Sequence, residues 1–135
     1  MTPEQKAYLA GIIDGEGSIS LIRINKNKLP APMISIASAD KELLDWVVQT
    51  TGTGKIIKKK NYKPDTHKES YSINITYWRA IEVLKEIAPY LVIERKKKRA
   101  LLIIQRYPAI TPRNGRYSPQ LLQAKEEFYK EFMST

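Results

Sequence analysis

The stretch that decides the fold is Leu9-Ala10-Gly11-Ile12-Ile13-Asp14-Gly15-Glu16-Gly17. Ala7, Gly11 and Gly15 follow one another at four-residue intervals, so a helix through this stretch presents a strip of very small side chains. Such a strip allows a second backbone to approach closely. We expect a helix over residues 3–13, with Thr2 as its N-cap and the following glycines as its end.

Asp14 and Glu16 lie where this helix is expected to end. Carboxylates near a helix C-terminus are unfavourable, because the helix dipole places partial negative charge there. The motif itself contains no lysine or arginine that could neutralise them. Their position therefore calls for a cation from elsewhere.

Length and charge indicate one folded domain with a polyanionic partner. The 135 residues fit a single domain, residues 1–135. Lys and Arg outnumber Asp and Glu by 23 to 14, which gives a net charge of +9, and basic runs occur at residues 58–60 and 95–99. The chain has no cysteine, which excludes disulfides, thiol chemistry and cysteine-based zinc sites. We expect an intracellular protein, in the cytoplasm or a genome-bearing organelle, without a signal peptide or membrane span.

Hydrophobic periodicity predicts two strand–strand–helix units. The predicted order is α-ββ-α-ββ-α-α with a terminal helix. The predicted strands are residues 18–26, 33–38, 55–62 and 69–77, and the helices after the first lie between Asp40 and Gly52 and over residues 79–89, 96–106 and 118–132. A phase change in the first strand predicts a bulge near Leu21. Helices on one face of an antiparallel sheet leave the other face open to water, and strands of about 26 Å can address roughly 8 base steps of a major groove.

These features together resemble the LAGLIDADG homing endonucleases in their single-motif form. Besides the motif, the resemblance lies in Ser18-Ile19, Thr51-Gly52-Thr53-Gly54, Ala88-Pro89-Tyr90-Leu91 and the basic segment 96–100, and it extends over residues 3–106. It implies an α+β fold of αββαββα type with a saddle-shaped antiparallel sheet, helices on one face and extra C-terminal helices. Because the chain holds one motif, it also implies a homodimer that grips a near-palindromic double-stranded DNA target.

The resemblance also assigns the metal site and the dimer contacts. Glu16, together with Gly15, would hold Mg²⁺, or Mn²⁺ in its place, at the scissile phosphate. The residue chemistry agrees, because phosphodiester hydrolysis without a covalent nucleophile is suited to metal assistance, and hard oxygen ligands suit Mg²⁺. The dimer interface would comprise Ala7, Tyr8, Ala10, Gly11 and Asp14, with Asp14 as a structural acid that bonds across the helix pair.

Two further roles, those of a basic residue and of a water-positioning residue, each have two candidates. The basic residue that polarises water or stabilises developing charge would be Lys96, or alternatively Lys98. The residue that positions water would be Ser38 or Asp40, where the family more often has Gln or Lys. No organic cofactor is implied.

The expected function is that of a homing-type endonuclease, encoded in an intron or an intein, which makes a staggered double-strand break. The residues expected to face DNA from the open sheet are Ser18, Ser20, Arg23, Asn25, Met33, Ser35, Lys55, Lys58, Lys60, Ser70, Ser72 and Asn74. An RNA maturase that assists intron splicing and a non-catalytic DNA-binding regulator are the alternatives on the same fold.

Overall fold

A computed structural model describes residues 1–24, 26–59, 65 and 69–135. Within them the chain forms five α-helices and four strands in the order expected from the sequence. The elements are α1 Pro3–Glu16, β1 Gly17–Ile22, β2 Ala31–Ser38, α2 Lys41–Thr51, β3 Lys55–Lys58, β4 Tyr71–Thr76, α3 Tyr77–Ile87, α4 Glu94–Arg106 and α5 Pro119–Met133, with short 3-10 helices at Ala88–Tyr90 and Pro108–Ile110. This arrangement confirms the α+β class and the αββαββα core followed by extra helices.

The sheet is antiparallel throughout, with the strand order β1-β2-β4-β3. Ile19, Ile34 and Ile75 pair across three neighbouring strands and are buried. Since side chains alternate between the two faces of a strand, the residues on either side of each of these isoleucines belong to the opposite face. All five helices lie on the isoleucine side, and the opposite side is the open sheet face.

The core joins the inner sheet face to the helices. Its largest fully buried side chains are Phe128, Phe132, Leu9, Ile13, Ile19, Ile34, Ile36, Leu44, Ile73, Ile75, Leu84 and Ile87. Burying apolar surface contributes about 25 cal/mol per Å², so this continuous cluster fixes the position of α1 against the sheet. The C-terminal helix α5 supplies both phenylalanines and is part of the same core.

The motif helix runs one turn further than the sequence predicted. A capping box joins Thr2 and Gln5 at its start, and the helix continues through Asp14 and Gly15 to Glu16. Gly17 then adopts an extended conformation and begins β1. The acidic residues therefore belong to the last helical turn itself.

The predicted bulge near Leu21 is wrong. β1 pairs with β2 residue for residue from Gly17 opposite Ile36 to Ile22 opposite Ala31, with no extra residue on either strand. The strand simply ends at Ile22, so the later apolar positions need no change of phase. The first predicted strand is thus four residues too long.

The end of α2 is capped as the sequence predicts, but its start is not. Gly52 ends the helix in the left-handed conformation at φ 71°, as glycine allows. Asp40 precedes the helix, but its side chain makes no capping hydrogen bond. Among the described residues, no helix has the length and apolar character needed to cross a membrane.

Candidate active site

Asp14 joins the end of α1 to the start of α4. Its two carboxylate oxygens accept hydrogen bonds from the backbone N–H groups of Val92, at 2.9 Å, and Ile93, at 3.2 Å. Ile93 occupies the N-cap position of α4, whose first N–H groups have no partner within the helix. The carboxylate therefore stabilises the positive end of the α4 dipole.

Lys96 makes the reverse connection from α4 to α1. Its ammonium donates to the carbonyl oxygens of Ile13, at 2.8 Å, and Asp14, at 2.6 Å. These carbonyls belong to the last turn of α1, where partial negative charge accumulates. The cation required by the acidic end of the motif is thus supplied by this chain itself.

Glu16 is the last residue of α1 and is exposed. It immediately precedes β1, so its carboxylate lies at the junction between the motif helix and the sheet. Among the described residues, no three histidine or acidic side chains group as a complete metal site. Mg²⁺ is commonly held by one or two carboxylates together with substrate phosphates and water. One exposed carboxylate at this junction fits an ion whose remaining ligands come from DNA.

In the basic segment of α4, Lys96 and Arg99 are bonded within the chain, whereas Arg95 and Lys98 are exposed. Lys96 is half-buried against α1, and Arg99 donates to the carbonyl of Ile19 at 3.1 Å and to the hydroxyl of Thr135 at 2.8 Å. Burial lowers the pKa of the Arg99 guanidinium. Lys98 is exposed. The ammonium of Lys98 therefore remains accessible to a phosphate.

The two water-positioning candidates lie at the end of β2. The hydroxyl oxygen of Ser38 accepts a hydrogen bond from the Asp40 backbone N–H at 3.0 Å. Its register places it on the inner side of the sheet, since it follows Ile36 by two residues. Asp40 is exposed. The structure gives Ser38 a local role in the turn before α2.

The outer face of α1 is open along its glycines. A Cβ added to Gly11 or to Gly15 would meet no atom within 4 Å, so packing within this chain does not require glycine at either position. Ala7 is exposed, and Tyr8 is 55% exposed and packs edge-on against Trp46 at 4.8 Å. These side chains and glycines form one accessible surface, here called the motif face.

Ala10 is not part of the motif face, which corrects one sequence-based expectation. It is 0% exposed and belongs to the core cluster of this chain. Four-residue spacing connects Ala7 to Gly11, whereas Ala10 lies on the side of α1 that packs on the sheet. Asp14 is half-buried and bonds within the chain, so its observed partners are Val92 and Ile93.

An apolar segment that was not among the expected site residues lies beside the motif face. Val92 is 79% exposed, and Tyr90 and Ile93 are 39% and 45% exposed. The hydrogen bonds of Asp14 hold this segment at the end of α1. In the sequence this segment is visible as the apolar run of residues 90–93, which ends directly before the first residue of α4.

The open sheet face brings together several of the expected DNA-facing residues. Ser18, Ser35, Asn74 and Lys55 pair in one row across all four strands. The neighbouring rows place Ser20 beside Met33 and Ser72 opposite Ile57. Ser70 continues the row pattern, because its carbonyl accepts the Lys59 N–H at 2.8 Å. Asn25 and Lys60 lie outside the described residues.

Lys58 and Arg23 are not on the open sheet face. Lys58 pairs with Tyr71, an odd number of residues from Lys55, and therefore points to the other side of β3. Its ammonium lies 2.8 Å from Glu69, and this hydrogen bond raises the pKa of Lys58. Alternation along the strand places residues 55, 57 and 59 on the same face, so it would have predicted Lys59 rather than Lys58 as a DNA-facing residue.

Arg23 follows the end of β1 on the side of Leu21. Its guanidinium donates to the backbone carbonyl of Lys28 at 3.2 Å and lines a cavity with Leu21 and Leu29. The expectation that placed it with the serines depended on the bulge, and without a bulge it belongs to the opposite side.

Comparisons with known proteins agree with this architecture. The model of the LAGLIDADG-like domain matches residues 3–134. The homing endonuclease I-CvuI, in complex with its target, is similar with a TM-score of 0.76 at 16% identity, over 97% of this chain and 81% of that chain. The archaeal intron-encoded homing endonuclease I-Vdi141I, complexed with DNA, has a TM-score of 0.72 at 20% identity, over 97% and 83% of the two chains.

A longer chain matches over part of its length. The meganuclease I-SmaMI, bound to uncleaveable DNA, has a TM-score of 0.69 at 18% identity, and 96% of this chain covers 44% of that chain. No curated protein matches the sequence significantly. Since the family model spans residues 3–134, the chain belongs to the LAGLIDADG-like domain family.

Proposed function

We propose that the chain is a site-specific, divalent-metal-dependent DNA endonuclease of the homing type, acting as a homodimer on a near-palindromic target. The observation that carries this proposal is the position of Glu16, an exposed carboxylate where the motif helix meets the polar open sheet face. The net charge of +9 favours a polyanion. The fold is that of proteins whose structures contain DNA.

Two copies of the chain are needed to cut two strands. Each chain carries one motif and hence one Glu16. Gly11 and Gly15 leave open space on the motif face, into which the same face of a second copy fits. The match to less than half of I-SmaMI leaves room in that chain for a second unit of similar length.

Glu16 and the carbonyl of Gly15 are the groups that would hold Mg²⁺ in each subunit. When bound, the ion lowers the pKa of water and stabilises charge on the phosphate oxygens. Lys98, with its exposed ammonium, takes the role of the basic residue near the phosphate. Lys96 holds α1 and α4 together and positions Glu16.

The open sheet face would read the target. Its row of Ser18, Ser35, Asn74 and Lys55 provides hydroxyl, amide and ammonium groups suited to base edges and phosphates. A β-ribbon of this kind fits a major groove. Met33 and the half-buried Ser20 extend the same face toward the β1–β2 turn.

The test is selection of cleaved sequences from a randomised duplex library in Mg²⁺, with EDTA and Glu16→Gln as controls. The proposal expects one enriched, near-palindromic sequence, cut on both strands only with wild-type protein and metal. Because Gln keeps the size of Glu, the variant should still bind that sequence. Equal cutting by wild type and Glu16→Gln would overturn the metal assignment, and specific binding without any cutting would favour the non-catalytic regulator.

A further inference from the structure

A second candidate site lies at the far end of the sheet from Glu16. Two adjoining cavities of ≈ 490 Å³ and ≈ 500 Å³ share Leu29, Tyr107, Leu122 and Lys125 among the described residues, and together they are called the Lys125 cleft. They lie at the β1–β2 turn, whereas Glu16 precedes the first residue of β1. Since β1 has six residues, rising about 3.3 Å each, the cleft is separate from the candidate active site.

Lys125 is an unusual residue for the wall of a cleft. It is only 6% exposed, and among the described residues no carboxylate lies within ion-pair distance of its ammonium. Its partners there are aromatic faces, with Nζ 3.9 Å from the ring centre of Tyr107 and 5.5 Å from that of Tyr117. Burial lowers the pKa of Lys125 to about 8. An ammonium at the end of a buried side chain, with no carboxylate beside it, is stabilised by a bound anion.

The rim of the cleft adds further positive charge. Arg23 lines one cavity, and Lys28 and Arg113 line the other. Glu126 also lines the first cavity, but it is paired with Lys130 at 3.4 Å. The charge that a ligand meets in the cleft is therefore predominantly positive.

The walls of the second cavity are planar and aromatic. They include Tyr77, Trp78 and Tyr117. Trp78 is 45% exposed and packs edge-on against Tyr107 at 6.0 Å, so part of its ring remains available. Tyr77 has a φ of 55°, a strained conformation for a residue with a bulky side chain, and such strain is concentrated at functional positions.

We propose that the Lys125 cleft binds a nucleoside monophosphate unit, with the phosphate at Lys125 and the base against Trp78 and Tyr117. The volume of each cavity lies in the range of small-molecule sites, about 300 to 1,000 Å³. Lysine binds phosphate as a point charge, and aromatic rings bind bases by stacking, whatever the base. The unit is either a free nucleotide or the 5′-terminal nucleotide of a DNA strand. The proposal does not depend on DNA cleavage.

The test is calorimetric titration of the whole protein, without metal or duplex, with 2′-deoxyadenosine 5′-monophosphate, 2′-deoxyadenosine and inorganic phosphate. The monophosphate should bind, and Lys125→Met should weaken it by about tenfold to a hundredfold, as loss of a charged partner does. The matched control is Lys85→Met, which removes an exposed lysine of α3 and should leave binding unchanged.

A second readout uses the tryptophan of the cleft. In a Trp46→Phe background Trp78 is the remaining tryptophan, and stacking should quench its fluorescence on titration with the monophosphate. A single-stranded oligonucleotide with a 5′-phosphate, compared with the same strand lacking it, separates the two sources. Tighter binding of the phosphorylated strand than of the free nucleotide assigns a strand end, and the reverse order assigns a free nucleotide.

Three results would overturn the proposal. They are absence of monophosphate binding by the wild type, equal binding by wild type and Lys125→Met, and binding of inorganic phosphate as tight as that of the monophosphate. Lys125→Met replaces a buried charge with an apolar side chain of similar length, so the variant is expected to fold, and its quenching curve checks the calorimetry.

Discussion

Asp14 and Lys96 cap each other's helices. The Asp14 carboxylate accepts two backbone N–H groups at the start of α4, and the Lys96 ammonium donates to two carbonyls at the end of α1, one of them that of Asp14. An acid at a helix C-terminus and a basic run at a helix N-terminus are each unfavourable alone. Placed end to end, each supplies the charge that the other helix terminus needs.

Substitution of Lys96 should lower the stability of the chain, whereas substitution of Lys98 should slow DNA cleavage. Lys96→Met removes a charged donor from two carbonyls and should lower the free energy of unfolding by about 1–3 kcal/mol. Lys98→Met alters an exposed side chain and should change the free energy of unfolding by less than about 0.5 kcal/mol, while slowing cleavage about 10²-fold. Urea unfolding and single-turnover cleavage measure the two effects.

The reverse assignment, with Lys96 at the phosphate, predicts a different pattern of cleavage rates. If Lys96 were the residue at the phosphate, the Lys96→Met protein would cleave as slowly as the Lys98→Met protein, or more slowly. This would hold even at urea concentrations below its unfolding midpoint, where the variant is folded. Lys85→Met, on the exposed side of α3, controls for the loss of one positive charge from the chain.

Asp14→Asn should destabilise the chain without disturbing the sheet. The amide keeps one acceptor but places an N–H₂ group against a second backbone donor, so either the Val92 or the Ile93 N–H group loses its partner. The expected loss is about 1–2 kcal/mol, as for removal of a hydrogen bond to a charged group, measured by urea unfolding. Glu126→Gln, which alters an exposed ion pair, is the control and should cost no more than about 0.5 kcal/mol. An unchanged midpoint for Asp14→Asn would show that the two bonds contribute nothing.

The order of elements could be predicted from the sequence, because periods of two and of 3.6 residues reflect local geometry. Ile19, Ile34 and Ile75 follow the same alternation, and all three are buried on the inner sheet face. The sequence-based predictions failed where a residue's partner is distant along the chain. The partner of Asp14 is 78 residues away, and no spacing within the motif indicates it.

Lys58 and Arg23 illustrate a related limit. Both are basic and next to strands, so composition alone could not separate them from Lys55. Their side of the sheet depends on register, and a shift of one residue reverses every side chain. The predicted bulge introduced such a shift for Arg23, and the regular pairing of β1 with β2 removes it.

Gly11→Leu should weaken dimerisation while leaving the subunit folded. The added side chain meets no atom of its own chain near the Cβ, and replacement of glycine within α1 should favour the helix by about 1 kcal/mol. The same side chain occupies the space that a second motif helix needs. Sedimentation equilibrium should show a monomer, and far-UV circular dichroism an unchanged helix content. Gln123→Leu, at an exposed position of α5, is the control for added apolar surface, and a Gly11→Leu dimer as tight as the wild type would exclude the motif face as the interface.

Lys55 and Lys58 provide a matched pair for the open sheet face. Lys55→Met removes an exposed ammonium from that face, so target affinity should fall and the slope of log K against log salt should decrease by about 1. Lys58→Met removes an ammonium on the other side of the same strand, already paired with Glu69, and should leave the slope unchanged. Fluorescence anisotropy over a salt series measures both. Equal slopes for the two variants would mean that the proposed face is not the one that contacts phosphate.

Lys125→Met should stabilise the chain in a pH-dependent way. In the unfolded chain Lys125 keeps its proton up to its ordinary pKa of 10.5, whereas in the folded chain burial lowers the pKa to about 8. Between these values the unfolded state binds more protons, so the wild-type free energy of unfolding rises with pH across this window. Below pH 8 the folded chain carries the full cost of a buried charge, about 3–4 kcal/mol for a pKa lowered from 10.5 to about 8 at about 1.4 kcal/mol per pKa unit. Burial raises the pKa of Tyr107 and Tyr117, so both stay protonated over most of the window.

The advantage of Lys125→Met over the wild type should therefore be largest at pH 7 and smaller at pH 9.5. Urea unfolding at the two pH values measures it, with Lys85→Met as the control for loss of an exposed lysine. Two results would contradict this prediction: wild-type stability that does not rise between pH 8 and pH 9.5, or an equal advantage of the variant at pH 7 and pH 9.5. Either would show that the folded chain holds the Lys125 proton as firmly as the unfolded chain does. The ammonium would then have an anionic partner already in the free protein.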